Sequence, residues 1–375
     1  MHSKFIILGS GISGISTAYF LNKAGYESII LDINDPLHGP GSTIRSAGII
    51  SHFFPFAEEI RIVQNSLRFY EDLLHSSSEK ISYNNSGLLA IYTKSDEQRL
   101  SDFTTAMTSV NVNYRYLDKP ELKKLYPMIS ISSDELAIIS EDSGYFDINH
   151  LFNIIFNYIQ TQNIRIFTGV QIKKVQNNGS FLFHTNHGDF TSDKVIIAGG
   201  AWSDNIANLF NCNIKFDTYY TQAAILSISQ QFHKYISSLP ILYRLNNGLY
   251  GRPFSSSSFL FGDGTTKYLD NPNNFKFRTD ESFHKDILNQ ATKLFPHKSI
   301  NSIQRSWSGL YTSSQDSRPI IGELNDDLFF LGCFNGLGIM LAPGCSQLLV
   351  DSILKNKFPD DYSSFNIERF NNKNI

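Results

Sequence analysis

Residues 4–14 read KFIILGSGISG, and the next apolar run is SIILD at 28–32. The first stretch opens on a short apolar run ending at Leu8, of the kind that forms a buried strand. Three glycines follow, and then Ile15, Ala18, Tyr19 and Leu21 recur at helical spacing. The pattern is strand, tight turn, helix, strand. In such a unit Gly9 permits the turn, Gly11 lets backbone amides approach a phosphate, and Gly14 allows the helix to pack closely on the strand. A phosphate would sit at the helix N-terminus, against Ser10, Ile12 and Ser13. Asp32, followed by Ile33, ends the second strand and is placed to accept from a ribose hydroxyl. A glycine turn without a ligand is the plain alternative, but the order of strand, turn, helix and acid argues for a dinucleotide. The motif alone does not choose between FAD and NAD.

Working outward, the chain has 375 residues, 41% hydrophobic and 18% charged, which is more than one ordinary domain needs. Lys and Arg number 32 against 35 Asp and Glu, for a net charge of −3. With no long run of one sign, a nucleic-acid or anionic-membrane footprint is unsupported, and a small-molecule partner is expected. Cys212, Cys333 and Cys345 are an odd number without C-x-x-C spacing, which argues against a disulfide framework and a zinc site and fits a reducing cytoplasm. The glycines that break the apolar N-terminus argue against a signal peptide, and no run approaches a membrane span.

Helical spacing recurs at 57–74 and 96–110, and strand-like runs stand at 87–93 and 114–117. After DSGYFD at 142–147 a helix is expected at 149–162, followed by four short strands at 164–169, 171–175, around the Asn-His-Gly turn, and at 194–200. These form a meander returning to the central sheet. Runs at 218–229, 241–245, 248–252 and 259–261 suggest a second, antiparallel sheet closed by a helix at 281–295. LFFLG at 328–332, a glycine-rich turn and a helix at 339–354 repeat the opening pattern.

Several further segments, in order, resemble the D-amino-acid oxidase, glycine oxidase and sarcosine oxidase/dehydrogenase superfamily of flavoproteins over nearly the full length. GSTIRSAGII at 41–50 is similar to the family's second flavin-contacting loop, which implies FAD contacts at Gly41, Ser42, Thr43, Arg45, Ser46, Ala47, Gly48 and Ile49. DSGYFDINHL at 142–151 with TGVQIKKV resembles the return into the FAD domain, where Val170 would touch the adenine. KVIIAGGAWS at 194–203 resembles a second strand-glycine element, implying Ala198, Gly199 and Trp202. RSWSGLYTSSQDSRPIIGE at 305–323 is the most specific match and brings in Gly309 and Tyr311. LGCFNGLGIMLAPG at 331–344 resembles the closing flavin loop, with Gly336, Leu337, Gly338 and Ile339 at a helix N-terminus suited to an anionic reduced flavin. The resemblance thus implies an α/β fold. An FAD-binding Rossmann-like domain of the glutathione-reductase type would comprise residues 1–80, 145–215 and 300–375. An interleaved α+β substrate domain with a mostly antiparallel sheet would comprise 81–144 and 216–299.

Within that superfamily, GLY followed by QDSRPIIG resembles the sarcosine oxidase beta-subunit and dimethylglycine dehydrogenase branch. Tyr311 stands where glycine oxidase-like members usually have Arg, so a carboxylate anchor must come from elsewhere. Arg252, in YGRP at 250–253, is the leading candidate because a guanidinium fork meets a carboxylate bidentately; a surface or interdomain salt bridge is its alternative reading. Arg45 occupies the position where similar dimethylglycine dehydrogenases carry the His bonded to flavin, and no Cys lies in the segment that monomeric sarcosine oxidases use. The expected FAD is therefore noncovalent. Leu260 falls where some monomeric oxidases place an oxygen-activating Lys.

The function the resemblance implies is oxidation of the C–N bond of a small amino acid or N-methyl amino acid by hydride transfer to flavin N5. Arg252 would hold the carboxylate, while Tyr250 and Tyr311 would shape the pocket or simply fill the domain interface. His52 is a candidate base, though a lone His beside Phe53, Phe54 and Phe56 is more often a packed or half-buried side chain than a catalyst. Two alternatives stand beside this function: a 2-hydroxy-acid or glycerol-3-phosphate type flavin dehydrogenase, which needs a base, and an FAD-binding subunit of a larger complex without its own substrate. A NAD-dependent enzyme is a third. A homo-oligomer or a partner electron-transfer subunit is the assembly to expect.

Overall fold

The structure is a computed structural model that describes residues 1–370 apart from 78, 80, 82 and 163. Those four positions and 371–375, which fall within the expected domain ranges, lie outside the described residues.

The opening unit forms as its pattern dictates. His2–Leu8 is a strand, Ile12–Lys23 a helix and Ser28–Leu31 a second strand parallel to the first. These strands are the centre of an eight-stranded sheet. Its path runs Ile320–Asn325, Leu328–Gly332, Gly188–Ile197, His2–Leu8, Ser28–Leu31, Ile164–Phe167. The inner pairs are parallel, Ile320–Asn325 adds an antiparallel edge, and Ile172–Asn177 with Phe181–Thr185 fold antiparallel onto Gly188–Ile197. Phe5, Ile6, Ile7 and Leu8 are all buried because both faces are covered, as a parallel sheet requires. On one face pack Ile12–Lys23, Ala57–Ser76 and Gly338–Lys355, while Phe181, Phe183 and Phe190 fill the other.

A second sheet has nine strands. Its path is Lys267–Tyr268, Asp217–Ile228, Ser258–Gly262, Tyr250–Ser255, Ile241–Arg244, Leu88–Thr93, Glu135–Ser140, Tyr114–Leu117, with Ile300–Ser313 paired to Asp217–Ile228. All pairs but one are antiparallel; Ile241–Arg244 runs parallel to Leu88–Thr93. Helices Lys119–Leu125 and Glu281–Leu294 cover one face through Leu122, Phe283, Ile287, Ala291 and Leu294.

Three details differ from the expectations. KVIIAGG at 194–200 is not a separate strand: Gly188–Ile197 is continuous, its first half serving the meander and its second half the parallel core. Ile300–Ser313, expected with the first domain, is the longest strand of the second sheet, bulged where it pairs past Ile225 and Ser227. Glu135–Ser140 forms a strand that the sequence reading did not assign. Among the described residues no helix is long and apolar enough to cross a membrane. Cys212, Cys333 and Cys345 are all free thiols.

Candidate active site and cofactor cavity

The glycine turn at residues 9–14 is built by steric exclusion. A Cβ on Gly14 would fall 1.9 Å from the Gly9 carbonyl oxygen, and one on Gly9, at φ +118°, would fall 2.4 Å from that of Ala198. Both positions therefore accept only glycine, and the turn presses against the end of Gly188–Ile197. Gly11 and Gly41 differ, because a Cβ on Gly11 would meet only Thr43 Oγ1, at 3.3 Å, and one on Gly41 would meet nothing within 4 Å. Their missing side chains open space instead of allowing protein packing.

That space is a cavity of about 580 Å³. Its walls include Gly9, Ser10, Gly11, Ile12 and Ser13 from the first turn, then Asp32 and the largely exposed Ile33. Gly41, Ser42, Thr43 and Ser46 form a second wall; Val170, Ala198, Gly199 and Trp202 form a third. The far end is made by Tyr311, Gly336, Gly338 and Ile339. Two helix N-termini meet there, those of Ile12–Lys23 and Gly338–Lys355. In neither does the N-cap residue's own side chain accept a hydrogen bond, and neither has an acidic residue in its first turn. Their unneutralised positive ends favour an anionic ligand. Asp32 is held by Ser10, whose N–H and hydroxyl both donate to Oδ2 at 2.7 Å, and by the Asn34 N–H, which donates to Oδ1 at 2.8 Å. Thr43 Oγ1 accepts from the Ile12 N–H at 3.0 Å and ties the second wall to the first. The open space at Gly41, two helix ends without acidic residues and a fixed carboxylate fit the pyrophosphate and ribose of a dinucleotide such as FAD.

Other expected contacts lie behind these walls. Gly14 packs the helix. Gly48 and Ile49 are bound to the 144–147 segment: Ile49–Ile50 pairs with Gly144–Tyr145, and the Gly48 carbonyl accepts from the Phe146 N–H at 2.9 Å, while the Ala47 carbonyl accepts from Arg252 Nε. Arg45 donates from Nη1 to the Gly39 and Gly41 carbonyls at 2.8 and 3.0 Å, and its backbone carbonyl accepts from Trp307 Nε1 at 2.9 Å. Gly309 lies against the Arg45 side chain, and Leu337 precedes the second helix as its N-cap.

Of the residues expected at the substrate, Tyr311 lines the cavity and packs its ring against Gly336, where φ is +80°. Tyr250 brings its phenol to Tyr311, and burial pushes both hydroxyls up, so both stay protonated at neutral pH. Arg252 is 4% exposed, and burial brings its guanidinium down to about 10, so it remains a cation. Its charge lies over the Tyr145 ring at 4.5 Å. Nε donates to the Ala47 carbonyl and Nη1 to that of Pro253 at 2.7 Å, so only Nη2 lacks a partner among the described residues. In this arrangement the fork does not offer two free nitrogens on one edge. His52 is buried, which lowers its basicity, and its Nδ1 has no partner. Its ring meets the Asp142 backbone, and it does not reach the cavity lining.

Sequence reasoning missed Asn335, which lines the cavity at φ +49° and accepts from the Tyr219 hydroxyl through Oδ1. It also missed Asn273, which reaches the cavity rim from a loop that carries no motif. The one available signal for Asn335 was its place beside Gly336 in a glycine-rich turn.

The comparisons agree with this geometry. At 23% identity the chain is similar to 4-methylaminobutanoate oxidase (formaldehyde-forming) of Paenarthrobacter nicotinovorans, covering all of this chain and 47% of that protein. At 22% it is similar to the monomeric sarcosine oxidase of Bacillus sp. strain B-0618, covering 98% of this chain and 96% of that one. The chain thus spans about half of the first relative and nearly all of the second. Among solved structures, L-proline dehydrogenase from P. horikoshii superposes with a TM-score of 0.87 at 20% identity, covering 100% and 99% of the two chains. Glycine oxidase from Geobacillus kaustophilus gives 0.82 at 19%, covering 98% of each. The family model described as FAD dependent oxidoreductase matches residues 4–352. With nearly the whole chain matched and a cavity shaped for a dinucleotide at its centre, the chain belongs to that FAD-dependent oxidoreductase family.

Proposed function

We propose that this chain oxidises the C–N bond of a small amino acid or N-methyl amino acid. The observation that carries this reading is the far end of the cavity. There Tyr311 lines the cavity beside the second helix and is joined to Tyr250, which lies behind the lining together with the buried cation Arg252 on its own strand, Tyr250–Ser255. Bound FAD supplies the hydride acceptor. The protein's own part is positioning: Arg252 and the two phenols orient an anionic, nitrogen-bearing substrate, and the substrate nitrogen lone pair forms the C=N bond as hydride departs. Water then hydrolyses the imine. Arg252 acts through its charge and Nη2, a single-point contact, while Nε keeps the Ala47 loop in place. A buried His52 whose basicity is lowered and whose ring meets the Asp142 backbone speaks against the hydroxy-acid reading, which needs a base.

We read the eight-stranded layer, from residues 1–80, 145–215 and the chain after Ser313, as the FAD domain, and the nine-stranded layer as the substrate domain. The relatives' names, which include sarcosine oxidase subunit beta, support an amine substrate and leave room for a partner subunit or a second copy. Three unpaired thiols support a reducing compartment such as the cytoplasm.

The test is the visible spectrum of the FAD-loaded protein during anaerobic addition of sarcosine, dimethylglycine, glycine, proline and D-amino acids, followed by air. Bleaching identifies an amine substrate, and the speed of recovery in air separates an oxidase from a dehydrogenase. A flavin that no amine bleaches rejects the reading.

A further inference from the structure

The segment 271–280, NPNNFKFRTD, reaches the cavity at Asn273 and joins neither sheet. It begins with a local turn in which the Asn271 side chain accepts from the Asn273 N–H at 2.9 Å, and Pro272–Asn274 forms one short turn of helix. The turn presents Asn273 to the cavity rim. There Asn273 Oδ1 accepts from Trp202 Nε1 at 2.8 Å, and both residues line the cavity. Phe275 then turns inward and joins Ala201 and Leu310 in a small apolar cluster separate from the main cores, with Trp202 and Tyr220 packed against it. Phe277 stays largely exposed, with the Arg45 guanidinium over its ring at 4.6 Å. Further hydrogen bonds attach its C-terminal end: Ser308 Oγ donates to the Arg278 carbonyl at 3.3 Å, Thr279 Oγ1 lies 2.8 Å from Ser306 Oγ, the Asp280 N–H donates to Gln222 Oε1 at 2.7 Å, and Asp280 pairs with Lys267.

These anchors come from three walls. Ala201 and Trp202 follow the end of Gly188–Ile197, Arg45 belongs to the 41–48 loop, and Ser308, Leu310, Tyr220 and Gln222 belong to the second sheet. The segment therefore bridges three walls of the cavity at its rim. Residues 271–277 are held by side-chain contacts alone with no strand ladder, and segments held in that way open more readily than the sheets beneath them.

We propose that residues 271–280 are a strap that closes the cofactor cavity and sets how long FAD stays bound, with the Trp202–Asn273 hydrogen bond as its latch. The proposal rests on the reading that this cavity holds the FAD. Asn273 is a positioning residue: it holds Trp202 and the strap against the rim. Because the FAD is expected without a covalent tether, residence time depends on how often this rim opens.

The experiment measures FAD release from the full-length, FAD-loaded protein after dilution, followed by the rise of free-flavin fluorescence. Asn273→Ala removes the acceptor at an exposed position, Trp202→Phe removes the donor and keeps an aromatic ring, and Asn273→Asp keeps an acceptor. Each single loss is expected to speed release roughly fivefold, as for one hydrogen bond at a partly exposed site. The double variant should be no faster than the singles, since both act through one bond, and Asn273→Asp should stay near the parent rate. Parent-like release from Asn273→Ala, or effects that add in the double variant, would overturn the strap while leaving the cavity's role intact. If the parent protein takes up no FAD, the reading of the cavity falls and the strap falls with it.

Discussion

Asp32 does not reach toward the cavity alone: Ser10 clasps its Oδ2 with both its N–H and its hydroxyl, at 2.7 Å each. The acid at the end of one strand is thereby locked to the glycine turn at the end of the neighbouring strand. Replacing Asp32 by Ala should weaken FAD binding about ten- to a hundredfold, the effect of losing hydrogen bonds to a charged group. A titration of the apoprotein with FAD measures this, and an unchanged dissociation constant would remove Asp32 from the ribose site. Ser10→Ala should cause a smaller loss in the same direction, because the carboxylate keeps its other donors.

Gly14→Ala places a methyl group 1.9 Å from the Gly9 oxygen, a distance no rotamer can relieve. The helix must lift off the strand, costing on the order of 1–3 kcal/mol as overpacking does. Thermal unfolding of the apoprotein should show a lowered midpoint, and FAD should no longer restore it. A variant that melts with its parent and still turns yellow would contradict the packing account.

Arg252→Met removes both the cation and the contact that Nε makes with the Ala47 carbonyl. The Michaelis constant for a carboxylate substrate should rise about tenfold or more, consistent with one charge-assisted hydrogen bond. FAD should remain bound. Steady-state kinetics on the amine identified by bleaching supplies the comparison, and a constant KM would leave Arg252 as a domain-joining residue only.

Glu59 is buried beside Arg318, and burial raises its carboxyl from the ordinary 4.5 to about 7 despite the attraction of that guanidinium. Between those two values the folded chain keeps a proton that the unfolded chain has lost. Stability from this group is therefore fully present below pH 4.5 and is lost as pH rises through 7. Glu59→Gln, neutral throughout, should match the parent near pH 4.5 and exceed it at pH 8 by on the order of 1–3 kcal/mol. Denaturant midpoints at both pH values decide the matter; a gap that does not change with pH would show that Glu59 carries its charge in the fold.

Legibility followed locality. Gly9, Gly11 and Gly14 could be read because a turn, an amide cradle and a helix contact are set by residues a few positions apart. The same holds for the helix start at Gly338. The nine-stranded sheet was only partly legible, because its order depends on pairings such as Ile241–Arg244 beside Leu88–Thr93 that no short-range pattern encodes. Ile300–Ser313 reads as flavin-contacting sequence at its C-terminal end, which hid the fact that its whole length pairs with Asp217–Ile228. Asn273 carried no signal because its role arises from a single bond to Trp202 across the cavity rim. The occupied edge of the Arg252 fork could not be anticipated either, since Ala47 is remote in sequence.

The two helices whose N-termini face the cavity touch through hydroxyls: Ser16 Oγ lies 2.8 Å from Ser346 Oγ, which also donates to the Ser13 carbonyl at 3.1 Å. These partners are separated by 330 positions. During synthesis the first glycine turn leaves the ribosome early, but the second positive helix end arrives only after both sheets have been made. On the proposed reading of the cavity, cofactor capture follows completion of the fold. Yellow colour in a cell extract should count finished molecules, and a chain interrupted before residue 338 should stay colourless however well its first domain has begun to form.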